Sequence, residues 1–174
     1  MTGRIEKITF GYMKIIMDSD CLVKLTKSGA KEMITEAMEV IIPPLVVKET
    51  VKEGKNFGYQ DARMIEENIH RGTLHVIKAG RRTPIKIPVA KGERDVLSLY
   101  LSGRYDAIAS DDRRFLKKLD SVDIPYLTPA TCIVYLFRSG KVDKSKVVEL
   151  LNALFPYINS EEYRIAIFSL EVKP

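Results

Sequence analysis

The most constraining feature of this sequence is a short apolar run, Ile15–Met17, that leads directly into an acidic residue, Asp18. A continuous apolar run of this length is typical of a strand buried on both faces, as in a parallel sheet covered by helices. Open parallel sheets bind their ligands beyond the carboxyl ends of the strands. Asp18 is therefore predicted to stand at the ligand-binding edge of a central strand. A second acid, Asp20, follows it across one serine.

The rest of the sequence alternates strand-like segments with helical segments. Further strands are predicted at 39–42, 74–78, 107–110 and 125–127. Predicted helices cover 21–26, 30–38, 44–53, 59–71, 92–102, 113–119, 129–138, 147–155 and 161–170, the third ending at Gly54 and the fourth at Gly72. Because such alternation implies right-handed crossovers between parallel strands, we predict an α/β fold. Its architecture should be a three-layer α/β/α sandwich with a mostly parallel central sheet of about five strands.

Length and composition fit one domain with a substantial core, since the chain has 174 residues and 45% of them are apolar. We expect a single domain over 1–174, with its core at about 13–140 and C-terminal helices at about 143–171. Those last helices should cover the sandwich or form a dimer surface. Residues 1–12 are expected to be either an extra strand or an extension ahead of a start at Met13.

The cysteines and the hydropathy pattern exclude several classes of protein. Cys21 and Cys132 are far apart in sequence and lack a CxxC spacing, so neither a disulfide framework nor a zinc site is predicted. Both are expected to be buried. The sequence contains no apolar run of the roughly 18 to 20 residues that a membrane span needs, and no signal peptide at its amino terminus. We expect a soluble, cytoplasmic protein.

Acidic residues occur where the predicted topology brings chain segments together. Asp18 and Asp112 each follow a predicted strand, whereas Glu49 and Glu93 lie on helices beside those strands. If the strand at 107–110 lies next to the first strand, chain order reverses between them, and the two aspartates flank this switch point. A cleft is then expected between them.

Helical geometry predicts that Glu93 faces the protein. At roughly 100° per residue, Glu93 lies within an apolar stripe, and Asp95 projects to nearly the opposite side. The apolar members of that stripe are Val96, Leu97, Tyr100 and Leu101. An inward carboxylate needs compensation, either from an Arg or Lys partner or from a cation. Glu49 also falls on an apolar face, but Glu53 lies one turn further along the same face.

A cluster of carboxylates without imidazole or thiolate ligands suits a hard divalent cation such as Mg²⁺ or Mn²⁺. In phosphodiester hydrolysis such an ion lowers the pKa of a water molecule, neutralises the phosphate and stabilises the departing oxygen. The alternative interpretation is that each acid is individually solvated or ion-paired. Spacing alone leaves both open.

The excess of basic residues fits a polyanionic partner but does not require one. The net charge is +5, and lysines and arginines gather in a proline-punctuated segment before the helix at 92–102 and again after Asp112. Solvated surface charge is the alternative. The residues predicted to hold the phosphate backbone of a substrate are Arg81, Arg82, Lys86, Lys91 and Arg113.

Segments of the sequence resemble the PIN-domain nucleases, in that family's order and spacing. The segments are KIIMDSDCLVKL, IIPPLVVKETV, KGERDVLSLYL and DAIASDDRRFLKKL, and the match runs from Lys14 to about Gly140. By resemblance, the catalytic acids are Asp18, Glu49, Glu93 and Asp112. The implied metal ligands are Asp18, Glu93, Asp111 and Asp112. Ser110, Asp111 and Asp112 match the family's small hydroxyl residue, variable residue and aspartate, whereas many members carry Asp where Glu93 stands.

The resemblance implies an activity and partners. The family's usual activity is Mg²⁺- or Mn²⁺-dependent endonucleolytic cleavage of single-stranded RNA. Many small prokaryotic members are toxins of toxin–antitoxin pairs, which form dimers and are silenced by a small partner protein. The expected cofactor is therefore Mg²⁺ or Mn²⁺, and the expected partners are single-stranded RNA, a small antitoxin and a second copy of the chain. The resemblance does not distinguish a toxin from an RNA-processing enzyme.

Two other functions also fit parts of this sequence. A haloacid-dehalogenase-like phosphatase also places Asp-x-Asp after its first strand, as Asp18 and Asp20 do, and paired aspartates after a later strand. That interpretation leaves Glu49 and Glu93 without a function, and a helix is predicted where such a phosphatase usually carries a flap. The second alternative is a PIN domain that acts as a non-catalytic scaffold in RNA processing.

Overall fold

The computed structural model describes residues 12–80 and 87–172, and its centre is a parallel β-sheet. The strands are β1 (Met13–Met17), β2 (Met38–Ile42), β3 (Leu74–Val76), β4 (Ala107–Ala109) and β5 (Tyr126–Leu127). They are ordered β3-β2-β1-β4-β5, and every neighbouring pair is parallel. The predicted five-stranded parallel sheet is confirmed. The prediction for residues 1–12 falls, apart from Tyr12, outside the described residues.

Helices follow most of the strands. They are α1 (Ser19–Lys27), α2 (Lys31–Ala37), α3 (Pro44–Val47), α4 (Gly54–Asn56), α5 (Gln60–Arg71), α6 (Lys91–Ser102), α7 (Arg113–Asp120), α8 (Pro129–Arg138), α9 (Lys144–Leu154) and α10 (Ser160–Ser169). A π-helical turn, Lys48–Glu53, joins α3 to α4, and a 3₁₀ turn, Phe155–Tyr157, follows α9. Across the described ranges, no helix combines the length and the apolar character needed to cross a membrane.

Alternate residues of the central strands enter two separate cores. Ile15 and Met17 pack into a core that includes residues of α1, α2, α5, α8, α9 and α10. Ile16 packs on the opposite face with residues of α6 and α7, and Ile108 of β4 does the same. Because successive strand residues point to opposite faces, this alternation covers both sides of the sheet. The predicted three-layer α/β/α sandwich is confirmed.

The register of β1 and β4 positions the acidic residues. Ile16 pairs with Ile108, and the next backbone hydrogen bond runs from the Asp18 N–H to the Ala109 carbonyl at 3.0 Å. Since β2 lies on the other side of β1, chain order reverses between β1 and β4. The predicted switch point therefore exists, and Asp18 stands at its carboxyl edge.

The two helix-ending glycines of the sequence prediction behave differently. Gly72 ends α5 in the left-handed region at φ 73°, as predicted, because glycine adopts this conformation without a Cβ clash. The prediction that Gly54 ends its helix is wrong, since Gly54 is helical (φ −59°, ψ −39°) and the helix continues to Asn56. A Cβ on Gly54 would lie 2.9 Å from the Ala62 Cβ of α5, so this glycine permits close helix packing.

The buried face of α6 differs from the predicted stripe. The predicted stripe includes Leu101, but 40% of Leu101 is exposed, whereas Leu99 is only 1% exposed. Asp95, predicted to face solvent, is half-buried. The reason is that α6 packs against α3 as well as against β1 and β4, so it is buried on more than one side.

Candidate active site

A cleft of about 220 Å³ opens at the carboxyl ends of β1 and β4. Its acidic lining residues are Asp18, Asp20, Glu49, Glu93 and Asp112. Apolar side chains from the region of α3 and from α6 and α7 complete its walls. The structure thus brings together all of the acids that were predicted to be catalytic, although they come from four separate segments of the chain.

Asp18 is the half-buried acid at the switch point. As the N-cap of α1, it accepts a hydrogen bond from the Cys21 N–H at 2.9 Å, and it also bonds to the Ser110 hydroxyl. Burial raises the pKa of Asp18 to about 7; the bonds from Ser110 and Cys21 oppose this shift, and the negative charges of Asp20 and Asp111 add to it. A cation in the cleft would favour the ionised form of this carboxyl group.

Asp112 is held by the start of α7. Its Oδ1 accepts hydrogen bonds from the Arg114 N–H at 2.8 Å and the Phe115 N–H at 3.2 Å. Its own N–H donates to the Ser110 Oγ at 3.2 Å, and Ser110 is fully buried. Ser110 therefore contacts both aspartates of the switch point, binding the side chain of Asp18 and the backbone of Asp112.

Glu93 has the basic partner that its inward position requires. The Lys118 Nζ of α7 lies 2.8 Å from Oε2 and 3.1 Å from Oε1 of Glu93, whose side chain is 13% exposed. Oε2 also accepts the Ala90 N–H at 2.6 Å, which pairs an otherwise free donor at the start of α6. The inward carboxylate of Glu93 was expected to need either a basic partner or a cation, and Lys118 is that basic partner.

Glu49 lies in the π-helical turn and faces Ser19. The Ser19 hydroxyl donates to the Glu49 Oε2, which ties the segment after Asp18 to this turn. Single π-helical turns are frequent at functional sites. Between the two glutamates on this face, Glu49 lines the cleft, whereas Glu53 lies 4.0 Å from the Lys48 Nζ.

Asp111 lies on the other side of the sheet from Asp112. Ala109 faces the core that contains α1 and α8, and Asp111, two residues later, points to the same side of the sheet. Its carboxylate pairs with the Lys24 ammonium of α1. Asp111 does not line the cleft. Its assignment as a metal ligand therefore stays a prediction that these contacts do not favour.

Glu162 of α10 lies beside Asp111, and the sequence did not indicate this position. Its Oε1 accepts the Ala130 N–H at the start of α8 at 3.1 Å, and its carboxyl group also bonds to Thr128 and Asp111. Burial raises the pKa of Glu162; its bonds to Thr128 and Ala130 oppose the shift, and Asp111 adds to it. The C-terminal helix thereby contacts the loop that carries Asp111 and Asp112.

Truncating Glu162 should destabilise the fold. Glu162→Ala is expected to lower the free energy of unfolding by about 1–3 kcal/mol, because the Ala130 N–H would lose its partner. Glu162→Gln keeps an acceptor for that N–H and removes one of two facing carboxyl groups, so it should stay close to wild type. Urea unfolding at neutral pH measures both. The control is Glu161→Ala, at an exposed neighbour; equal losses for Glu161→Ala and Glu162→Ala would contradict the prediction.

The donor set of the cleft fits a hard divalent cation. In residues 12–80 and 87–172, no three acidic, histidine or cysteine side chains are grouped closely enough to ligate one metal ion. However, Mg²⁺ keeps several waters and is commonly held by one or two carboxylates. The cleft supplies such carboxylates, the half-buried Asp18 among them, and no soft ligand is among its lining residues.

Two of the five residues predicted to bind phosphate lie within the described residues. Lys91 and Arg113 are exposed at the first positions of α6 and α7, next to residues that line the cleft. The Arg113 guanidinium also lies 3.6 Å from a carboxylate oxygen of Glu161. The other three predicted phosphate-binding residues lie outside the described residues; they are Arg81, Arg82 and Lys86.

Comparison with known proteins adds one family match. A family model described as a PIN domain matches residues 14–170. The matched range includes every acid of the cleft and extends past Gly140 through α9 and α10. No curated protein matches the sequence.

Proposed function

The chain belongs to the PIN-domain family, and from this premise we propose that it is a metal-dependent endoribonuclease that cleaves single-stranded RNA. A nuclease activity is what the family indicates. The observation that supports the finer assignment is the cleft itself, in which acids from four chain segments meet at the switch point of a parallel sheet. An oxygen-only acidic cleft of this kind suits metal-assisted hydrolysis of a phosphodiester.

The residues of the cleft have separate functions in this proposal. Asp18 and Asp112, the aspartates at the switch point, would hold Mg²⁺ or Mn²⁺, which one or two carboxylates can bind while the ion keeps several waters. Ligation by Glu93, which is paired with Lys118, and by Asp111, which lies outside the cleft, is proposed from the family resemblance alone. When bound, the ion would neutralise charge on the scissile phosphate and lower the pKa of a water molecule. Glu49, held by the Ser19 hydroxyl, would orient water with its remaining carboxylate oxygen.

Basic residues beside the cleft would position the RNA. Lys91 and Arg113 are exposed next to the cleft residues Gly92 and Asp112, and we propose that they contact phosphates on either side of the scissile bond. We propose the same function for Arg81, Arg82 and Lys86 from the sequence alone. The toxin function, the small antitoxin and the homodimer are also proposals, and they depend on the family resemblance.

Chelation tests the metal requirement. Purified protein with unstructured RNA should cleave in Mn²⁺ or Mg²⁺, and EDTA should slow cleavage at least about 100-fold, because the ion is expected to supply several kcal/mol of transition-state stabilisation. Restoring Mn²⁺ should restore cleavage, which excludes irreversible damage. Gel analysis of end-labelled RNA follows the reaction.

Two results would contradict this proposal. One is RNA cleavage that persists in EDTA. The other is rapid turnover of an aryl phosphate, abolished by Asp20→Asn, while RNA stays intact; this would favour the phosphatase alternative.

A further inference from the structure

Lys24 of α1 bridges two acids that lie far apart in sequence. Its Nζ lies 3.1 Å from the Asp20 Oδ2 and donates a hydrogen bond to the Asp111 Oδ2. The side chain of Lys24 is 19% exposed and that of Asp111 is 13% exposed, so this pair is largely removed from water. Such a pair is screened less by salt than a surface pair is.

The two acids lie close in sequence to the two aspartates of the switch point, Asp20 on α1 and Asp111 in the loop before α7. Asp20 lies in the first turn of α1, two residues after Asp18, and Asp111 directly precedes Asp112. Lys24 does not line the cleft. It therefore joins the loops that carry Asp18 and Asp112 from outside the space a metal ion would occupy.

The bridge also compensates for a repulsive contact. Asp111 faces Glu162, and Glu162 is fixed to the Ala130 N–H of α8. Two facing carboxyl groups disfavour each other's charge, and the Lys24 ammonium is the cation paired with Asp111. Burial lowers the pKa of Lys24, but its hydrogen bonds to Asp111 and Asp20 together outweigh burial and raise it, so the side chain is charged at neutral pH.

We propose that Lys24 is a positioning residue that holds the Asp18 loop and the Asp112 loop at the separation required to bind a divalent cation. This inference rests on the proposed function. It adds a residue that contacts neither the cation nor the RNA and acts through Asp20 and Asp111.

Electrostatics and positioning predict opposite results when the charge is removed. Lys24→Met deletes a positive charge close to an acidic cleft, which by itself should strengthen the binding of a cation. If Lys24 instead sets the spacing of the two loops, its loss should weaken binding. The sign of the change therefore separates the two explanations.

The first measurement needs no metal. In EDTA, amide hydrogen exchange at residues 18–22 and 110–116 should be at least about 10-fold faster in Lys24→Met than in wild type, because both loops lose a shared anchor. The control is Lys27→Met, at an exposed position on the same helix, which should leave exchange unchanged. Equal exchange in Lys24→Met and wild type would overturn the inference.

The second measurement is the Kd for Mn²⁺ by titration calorimetry. Lys24→Met should bind roughly 10–100-fold more weakly, as expected when a partner behind the ligands is lost. Lys24→Arg should restore most of the affinity, because a guanidinium can also bridge two carboxylates. If Lys24→Met does not fold, Lys24→Gln provides the same comparison.

The outcomes test the positioning function of Lys24 separately from the proposed nuclease activity. Unchanged or tighter Mn²⁺ binding by Lys24→Met would overturn the positioning function and leave the proposed nuclease intact. A wild-type protein that binds no Mn²⁺ would overturn both.

Discussion

Asp18→Asn should reduce the rate of RNA cleavage by at least about 100-fold. Asp18 lies at the switch point, lines the cleft and would lose the negative charge that a divalent cation requires. Even groups that only support metal ligands change activity by about 10–100-fold, so a direct ligand should reach or exceed that range. The measurement is kcat/KM for unstructured RNA in Mn²⁺.

The substitution is chosen to leave the fold in place. Asparagine keeps an oxygen that can accept the Cys21 N–H, so the N-cap of α1 is retained. The matched control is Asp61→Asn, in the first turn of α5 and outside the cleft, which should keep wild-type activity. If Asp18→Asn retained more than about a tenth of the activity, Asp18 could not be an essential ligand.

The same substitution should make the metal-free protein more stable at neutral pH. In the folded state the pKa of Asp18 is raised by burial to about 7, against an ordinary value of 3.8. The folded protein thus holds this proton more tightly than the unfolded chain. The carboxyl group therefore costs stability progressively as the pH rises from about 4 to about 7, and the cost stays constant above that range.

Replacing Asp18 by a neutral isostere should remove this cost. In EDTA at about pH 7.5, Asp18→Asn is expected to unfold with a free energy higher by a few kcal/mol, about 4 at most. At about pH 4 the two proteins should differ little, since the carboxyl group is then largely protonated in the folded state. Urea unfolding at several pH values measures the difference.

Mn²⁺ provides the complementary test. In EDTA, a stability gain for Asp18→Asn that is independent of pH would contradict a buried, titrating carboxyl group. Adding excess Mn²⁺ should stabilise wild type, because a ligand that binds only the folded state raises its stability. The variant should respond much less. Together these results would show that the Asp18 carboxylate destabilises the metal-free fold and is needed to bind the cation.

The fold was largely predictable because its signals are local. Each central strand is a short apolar run, and each long helix has its own periodicity and end signals, as at Gly72. The wrong predictions concern residues whose conformation or burial is set by contacts with other helices and not by the local sequence. Gly54 looked like a helix end but serves close contact with Ala62, and the buried face of α6 widened because α3 packs beside it.

The acids of the cleft were also predictable, because strand ends and helix faces are properties of single segments. Strand alternation could further have separated Asp111 from Asp112, since neighbouring residues after a strand point to opposite faces. The four acids predicted to be catalytic hold motif positions, as does Ser110. The contacts of Ser110 with both aspartates, however, depend on the register of β1 and β4.

The sequence by itself predicted the parallel sheet and the acids at the ends of its strands, whereas the pairing of β4 with β1, which creates the switch point, came from the tertiary structure. Only the tertiary structure showed what those acids contact: Lys118 beside Glu93, Lys24 beside Asp111, and Glu162 reaching from α10. The physical reason is the distance in sequence over which each interaction acts. Periodicity and capping arise among residues a few positions apart, whereas pairing between long polar side chains depends on how separate helices are placed on the sheet. Lys24 and Asp111 are 87 residues apart in sequence, and no local pattern encodes their contact.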